Sequence, residues 1–177
     1  MKKEFLIIDN YDSFTYNVQH ALYKVRPEYS FKIIRNSSKD ILFDSYSGYI
    51  ISPGPKTPKE TGLLSQVFNS IILPQKKPIL GICLGMQFIA YTQNVKITKA
   101  KNPVHGETEE ILHLQNDIFT NIPNSFNAAR YNSLEVKMKD VSYNTSLKVL
   151  ATDTNKQTVM ALRMNNYPIV GVQFHPE

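Results

Sequence analysis

No stretch limits what this chain can become more than residues 77–87, Lys-Pro-Ile-Leu-Gly-Ile-Cys-Leu-Gly-Met-Gln. The apolar run Ile79-Leu80-Gly81-Ile82 reads as a buried strand, and residues 84–91 read as a helix. Between them stands Cys83, the only cysteine of 177 residues, with Gly81 and Gly85 two positions to either side. A Gly-x-Cys-x-Gly between strand and helix is the thiol counterpart of a nucleophile elbow. Such a turn is tight and strained, and side chains at the flanking positions would collide with neighbouring backbone. It holds a sulfur clear of the chain at a helix N-terminus, where the partial positive charge favours thiolate. By themselves, these five residues suit a buried, inert cysteine equally well.

Around this stretch, strands and helices alternate. Residues 4–9 read as a strand whose run Phe5 to Ile8 is apolar on both faces, as in a strand covered on both sides. Asn10-Tyr11-Asp12 turns the chain, and Asp12 or Ser13 is placed to cap a helix running to about Val25 and ended by Pro27. Strands follow at 31–35 and 49–51, with residues 37–46 left unassigned. Ser52-Pro53-Gly54-Pro55-Lys56 is stiffened by two prolines that leave the Gly54 N–H as the central donor. A stiff loop at the C-terminal end of a strand is where an open α/β sheet places its crevice, although a plain turn has the same composition. A helix over 61–73 leads back to the elbow strand, so residues 4–91 predict a parallel sheet with right-handed crossovers.

Beyond Tyr91 the pattern changes to short strands at 95–100, 109–114, 147–151, 159–164 and 169–174. Residues 121–127 and 143–146 read as connections, and this half is expected to be antiparallel or mixed. No repeat, low-complexity segment or linker interrupts the chain, which predicts one domain over residues 1–177.

Composition narrows the function classes. Hydrophobic residues make up 42% and charged residues 20%, which excludes a disordered tail or a coiled coil. No apolar run approaches the ~18–20 residues of a membrane span, and the N-terminal run is too short for a signal peptide. A single cysteine suits a reducing cytoplasm. The net charge of +5 is scattered, apart from Lys96, Lys99 and Lys101, and reads as solvated surface rather than a nucleic-acid footprint. His20, His105, His113 and His175 show no ligand spacing with carboxylates or with Cys83, so no metal site is expected.

The final run, Pro168 to Glu177, is the second informative stretch. A buried strand ends in His175, and Glu177 follows two residues on, with Pro176 biasing His175 toward extended backbone. A carboxylate beside an imidazole fixes its tautomer and stabilises the imidazolium, as the third member of a triad does. Cys83, His175 and Glu177 thus supply nucleophile, base and orienter in that order.

Together with the Gly54 loop, these residues resemble the class I, triad-type glutamine amidotransferases over nearly the whole chain. Residues 9–17, Ser52-Pro53-Gly54-Pro55, residues 81–87, His105-Gly106, residues 129–134 and residues 173–177 fall in the family's order. The opening Asp-Asn-Tyr-Asp-Ser-Phe at 9–14 resembles one branch, component II of anthranilate synthase and of para-aminobenzoate (aminodeoxychorismate) synthase. The resemblance implies a three-layer α/β, flavodoxin-like fold. Its central sheet would be mostly parallel, with helices on both faces and additional antiparallel strands.

It also implies chemistry. Cys83 would attack the side-chain carboxamide of L-glutamine, with the backbone N–H groups of Gly54 and Leu84 forming the oxyanion hole. Gln87, Tyr131 and Ser133 would line the glutamine site. The ammonia would pass to component I, a separate subunit that aminates chorismate, and Asn10, Asp12, Ser13, His105 and Gly106 are candidates to face it. No cofactor is implied for this chain, since Mg2+ is expected only on that partner. Lys56, Glu107 and Asn132 depart from the family's usual glycine, lysine and histidine, and the C-terminal helix that follows the triad in the family is expected to be absent. A domain serving another synthetase, a stand-alone γ-glutamyl hydrolase and a silent regulatory subunit are the competing readings.

Overall fold

The structure, a computed structural model, describes residues 3–42, 45–113 and 117–177. Strand β1 (Glu4–Asp9) leads through helix α1 (Thr15–Val25) to β2 (Ser30–Arg35), and a 3-10 turn at Lys39–Leu42 precedes β3 (Gly48–Ile51). After a 3-10 turn at Pro58–Glu60 come α2 (Leu64–Val67), a π-helical turn (Phe68–Ile72) and α3 (Leu73–Gln75), then β4 (Ile79–Ile82) and α4 (Leu84–Thr92). The second half holds β5 (Ile97–Lys99), β6 (Glu107–His113), β7 (Ser125–Arg130), β8 (Leu134–Val136), α5 (Met138–Val141), β9 (Leu147–Asp153), β10 (Val159–Met164) and β11 (Ile169–Val172).

Among the described residues, nine strands form one sheet in the order β2-β1-β3-β4-β11-β10-β9-β6-β7, and β5 pairs with β8 apart from it. The run from β2 to β11 is parallel. From β11 to β7 every ladder is antiparallel. The change of direction therefore falls between β11 and β10, one strand beyond the elbow strand β4, whose neighbours β3 and β11 both run parallel to it.

The apolar run of β1 explains the layers. Leu6 and Ile8 join Leu64, Phe68, Phe88 and Ile89 in one cluster, on the side of α2, α3 and α4. Ile7, between them, joins Val18, Phe31 and Met160 in a second cluster on the side of α1. Alternate residues of one strand thus feed both cores, as a period of two requires.

Local chemistry shifts several boundaries. Helix α1 has Phe14 at its N-cap position, with no side-chain cap bond. Asp12 serves the preceding turn instead, its Oδ1 accepting the Phe14 N–H at 2.8 Å. The helix predicted over 61–73 is broken into pieces. Pro74 has no N–H to give and its ring crowds the carbonyl four residues back, and the widened turn over Phe68–Ile72 accommodates both.

Residues 125–127, expected within a connection, belong instead to β7, which pairs with β6 from Ser125 to Arg130. That strand is formed by its partner and not by its own weak β-propensity. The strand expected over 169–174 ends at Val172, and of the strand expected over 109–114 the last residue lies outside the described residues. No helix among the described residues is long and apolar enough to cross a membrane.

Candidate active site

Cys83 occupies the turn between β4 and α4 at φ 52° and ψ −103°, left-handed territory that a side-chain-bearing residue enters only under constraint. Two bonds hold it there: its N–H donates to the Val172 carbonyl at 2.8 Å, and its carbonyl accepts the Gln87 N–H at 3.1 Å. The flanking glycines are required by contact. A Cβ on Gly81 would stand 2.6 Å from the Gly85 backbone, and one on Gly85 would stand 2.5 Å from the Ile51 carbonyl oxygen. Helix and sheet meet here without side chains between them, and the collision expected from the sequence is what the structure holds in reserve.

The proline loop is braced from the side. Asn10 donates its backbone N–H to Ser52 Oγ and its amide to the Ser52 carbonyl, both at 2.9 Å, while Asn36 donates to Asn10 Oδ1. Gly54 lies against Leu84 at the start of α4, where an added Cβ would meet Leu84 Cδ2 and Asn10 Cβ at 2.7 Å. Gly54 thus packs against the side chain of the first residue of the helix, whose opening N–H groups have no intrahelical acceptor. A hollow of about 490 Å3, with Asn10, Tyr11, Asn36, Lys56 and Leu84 in its walls, opens beside this junction. A larger one, about 720 Å3, is lined by Glu109, Arg130, Glu135 and Lys137 and includes none of Cys83, His175 and Glu177.

His175 reaches the site from the chain beyond β11, pinned by its N–H to the Ala129 carbonyl at 2.9 Å. Its Nδ1 is 2.8 Å from Glu177 Oε1, and the two side chains are 4% and 3% exposed. Such a pair in a dry setting fixes the ring tautomer, so that Nε2 faces the chemistry. Nε2 has no hydrogen-bond partner of ordinary geometry among the described residues. Its approach to the Cys83 thiol is thus looser than a hydrogen bond of ordinary geometry.

Burial works against a charge on His175. The Cys83 sulfur and the Glu177 carboxylate outweigh it, by hydrogen bonding and by charge, and push the pKa up to about 9. Asp12, half-buried nearby, is held above the usual carboxylate range. Burial is the chief cause, opposed by the Phe14 N–H and the His175 charge and reinforced by Glu177 and Asp9. Phe14 and Tyr131 wall the imidazole, their ring centroids 5.5 and 4.9 Å from it, and His105 meets Tyr131 edge-on at 5.3 Å.

The remaining candidates divide. Gln87 is buried and donates to the Leu134 carbonyl at 3.1 Å and to Gln173 Oε1 at 3.0 Å. Ser133 is exposed on the same segment as Tyr131. Asn132 is buried: it accepts from Arg130 Nε at 3.0 Å and donates to the Leu134 carbonyl at 2.9 Å. Of the residues expected to face a partner, Ser13, His105 and Gly106 are exposed and Asp12 is half-buried. Asn10 is 4% exposed, its side chain spent on Ser52 and Asn36. It therefore supports the loop from within and offers no side chain to a surface.

One residue of the site was not singled out from the sequence. Gln173 is fully buried, and its Nε2 lies 3.4 Å from Cys83 Sγ. Its position two residues before His175, in a chain running extended out of a strand, was the available signal, because alternate residues share a side.

Comparison with known proteins bears on this geometry. The family model described as "Glutamine amidotransferase class-I" matches residues 6–177. The chain is 41% identical over 177 residues to anthranilate synthase component 2 of Porphyra purpurea, with 97% of this chain and 89% of that one covered. It is 39% identical to the aminodeoxychorismate/anthranilate synthase component 2 of Bacillus subtilis, covering 97% and 87%. Against the bifunctional protein TrpGD of Thermotoga maritima the identity is 36%, and this chain spans 29% of that protein's length. Among solved structures, a glutamine amidotransferase from Thermotoga maritima matches with a TM-score of 0.79 at 17% identity, covering 99% of this chain and 76% of that one, a likeness of fold.

Proposed function

Given that the chain belongs to the class I glutamine amidotransferase family, we propose that it hydrolyses L-glutamine and delivers the ammonia to a chorismate-aminating partner, as component II of an anthranilate or aminodeoxychorismate synthase. The observation that carries this reading is the sealed His175–Glu177 pair beside a nucleophile elbow.

In this proposal the Cys83 thiolate adds to the side-chain carbonyl carbon of glutamine. The carbonyl electron pair moves onto oxygen, which the N–H groups of Gly54 and Leu84 receive; one such donor is typically worth ~2.7–4 kcal/mol of barrier. His175, held protonated by a pKa of about 9, gives its Nε2 proton to the leaving nitrogen as the C–N bond breaks. The now neutral ring takes a proton from water as that water attacks the thioester, and glutamate leaves with the thiolate and imidazolium restored. Glu177 keeps Nδ1 protonated throughout. Tyr131 and Ser133 are proposed to line the glutamine site, and the half-reaction calls for no cofactor. Tyr11, Ser13, Tyr16 and His105 are exposed, with Tyr11 at 51% and Tyr16 at 71%, and are proposed to meet the partner.

The test is glutaminase turnover of wild type and Cys83→Ser, alone and with component I plus chorismate. Turnover that rises with the partner and falls by at least ~10⁴-fold in Cys83→Ser supports the reading. The product, anthranilate or aminodeoxychorismate, then names the pathway. Turnover indifferent to either partner would sink it in favour of a stand-alone hydrolase.

A further inference from the structure

The polarity of a three-residue amide chain ending on the nucleophile is set by the backbone. The Leu134 carbonyl can only accept, so the Gln87 atom 3.1 Å from it is the amide nitrogen. That same nitrogen is 3.0 Å from Gln173, so the Gln173 atom facing it is the oxygen. The other end of the Gln173 carboxamide, 3.4 Å from Cys83 Sγ, is therefore NH2. Gln173 and Gln87 are 0% and 2% exposed, so no solvent competes for these bonds.

We propose that Gln173 is a further catalytic-site residue, a neutral donor that stabilises the Cys83 thiolate, and that Gln87 is the positioning residue that aims it. A carboxamide cannot accept the thiol proton as a base, so the proton is left to His175 alone. A sulfur anion accepts a hydrogen bond far better than a thiol does, so the contact favours the nucleophilic form. Both ends of the buried Gln173 carboxamide are engaged, which stops it rotating, and the second bond of Gln87 Nε2, to the Leu134 backbone carbonyl, makes the aim part of the fold. Gln87 thereby has a task besides the glutamine contact expected from the sequence. The proposal rests on the amidotransferase reading only for the role of Cys83 as nucleophile.

Alkylation of Cys83 by iodoacetamide, followed across the pH range in which a thiol titrates, tests this without glutamine or a partner. The other ionisable groups at the sulfur and its base are His175, Glu177, Asp12 and, against the imidazole, Tyr131, and all four stay in place in the variants. Gln173→Leu and Gln173→Met each remove the donor without adding a charge, and each should raise the apparent pKa of alkylation by about one to two units. At neutral pH both should slow alkylation roughly tenfold or more. Gln87→Met should shift the profile the same way, by less. In turnover assays kcat should fall while KM for glutamine moves little. A folded Gln173 variant with the wild-type pH profile overturns the proposal.

If every variant unfolds, the wild type still decides. The side-chain amide resonance of Gln173 must move as Cys83 titrates, and a flat response overturns the proposal equally. Wild type that alkylates rapidly in a Gln173-dependent way yet never consumes glutamine would refute the proposed function and leave this inference standing.

Discussion

At β4 the sheet and helix α4 meet backbone to backbone, with Gly81, Gly85 and Ile51 leaving no room for a single added carbon. At one edge of the same sheet, β6 and β7 are tied by side chains as well as backbone, buried Arg130 pairing with Glu109 and with Asn132. The first region is governed by volume and the second by polarity. A substitution that is harmless in one should therefore be costly in the other, and the place of failure identifies which constraint holds.

The sharpest break is Gly85→Ala. Its Cβ would meet a carbonyl oxygen at 2.5 Å on a strand that cannot retreat, and a loss of about 3 kcal/mol is expected from overpacking, read from the denaturant midpoint. In the polar region Asn132→Ala creates space but strands the Arg130 Nε donor, while the Leu134 carbonyl keeps Gln87. About 2 kcal/mol is expected, and restoring an amide rather than volume should recover it.

A third test sets pH against the Cys83 side of the sheet. The folded pKa of His175, about 9, lies above its ordinary 6.5, so its contribution to stability is fully present below pH 6.5 and is lost as pH rises through 9. Wild type should accordingly lose stability relative to His175→Gln across that window. In Cys83→Ser the His175 pKa, followed by NMR, should fall, because the sulfur supplies part of the rise. The smallest effect is expected at Arg163→Ala. Its partner Asp117 is mostly buried but Arg163 is partly in solvent, and less than about 1 kcal/mol should be lost.

The same contrast decides what could be read from the chain beforehand. The elbow was legible because volume constraints leave glycines at fixed spacing beside an apolar run, and both expected collisions are present at Gly81 and Gly85. His175 and Glu177 were legible as an acid–base pair at a strand end, and they stand 2.8 Å apart. Strand β7 was not, since Ser-Phe-Asn-Ala-Ala-Arg has little strand preference until β6 pairs with it. Nor was the polar network: Asn132 stood out only as a departure from the histidine usual in the family, and only the fold shows that it is buried between Arg130 and Leu134. Gln173 lay between the two kinds, a buried amide whose need for partners was foreseeable but whose partners, Gln87 and Cys83, are about ninety positions away in sequence.

The backbone at Cys83, φ 52° with ψ −103°, is the mirror image of ordinary extended chain, and only a residue without a Cβ adopts it freely. At this position, then, the side chain the backbone would welcome is glycine, which has no sulfur to offer. Selection for thermal robustness and selection for chemistry pull the codon in opposite directions here, and a lineage released from the reaction would be free to drift toward the more durable, inert protein.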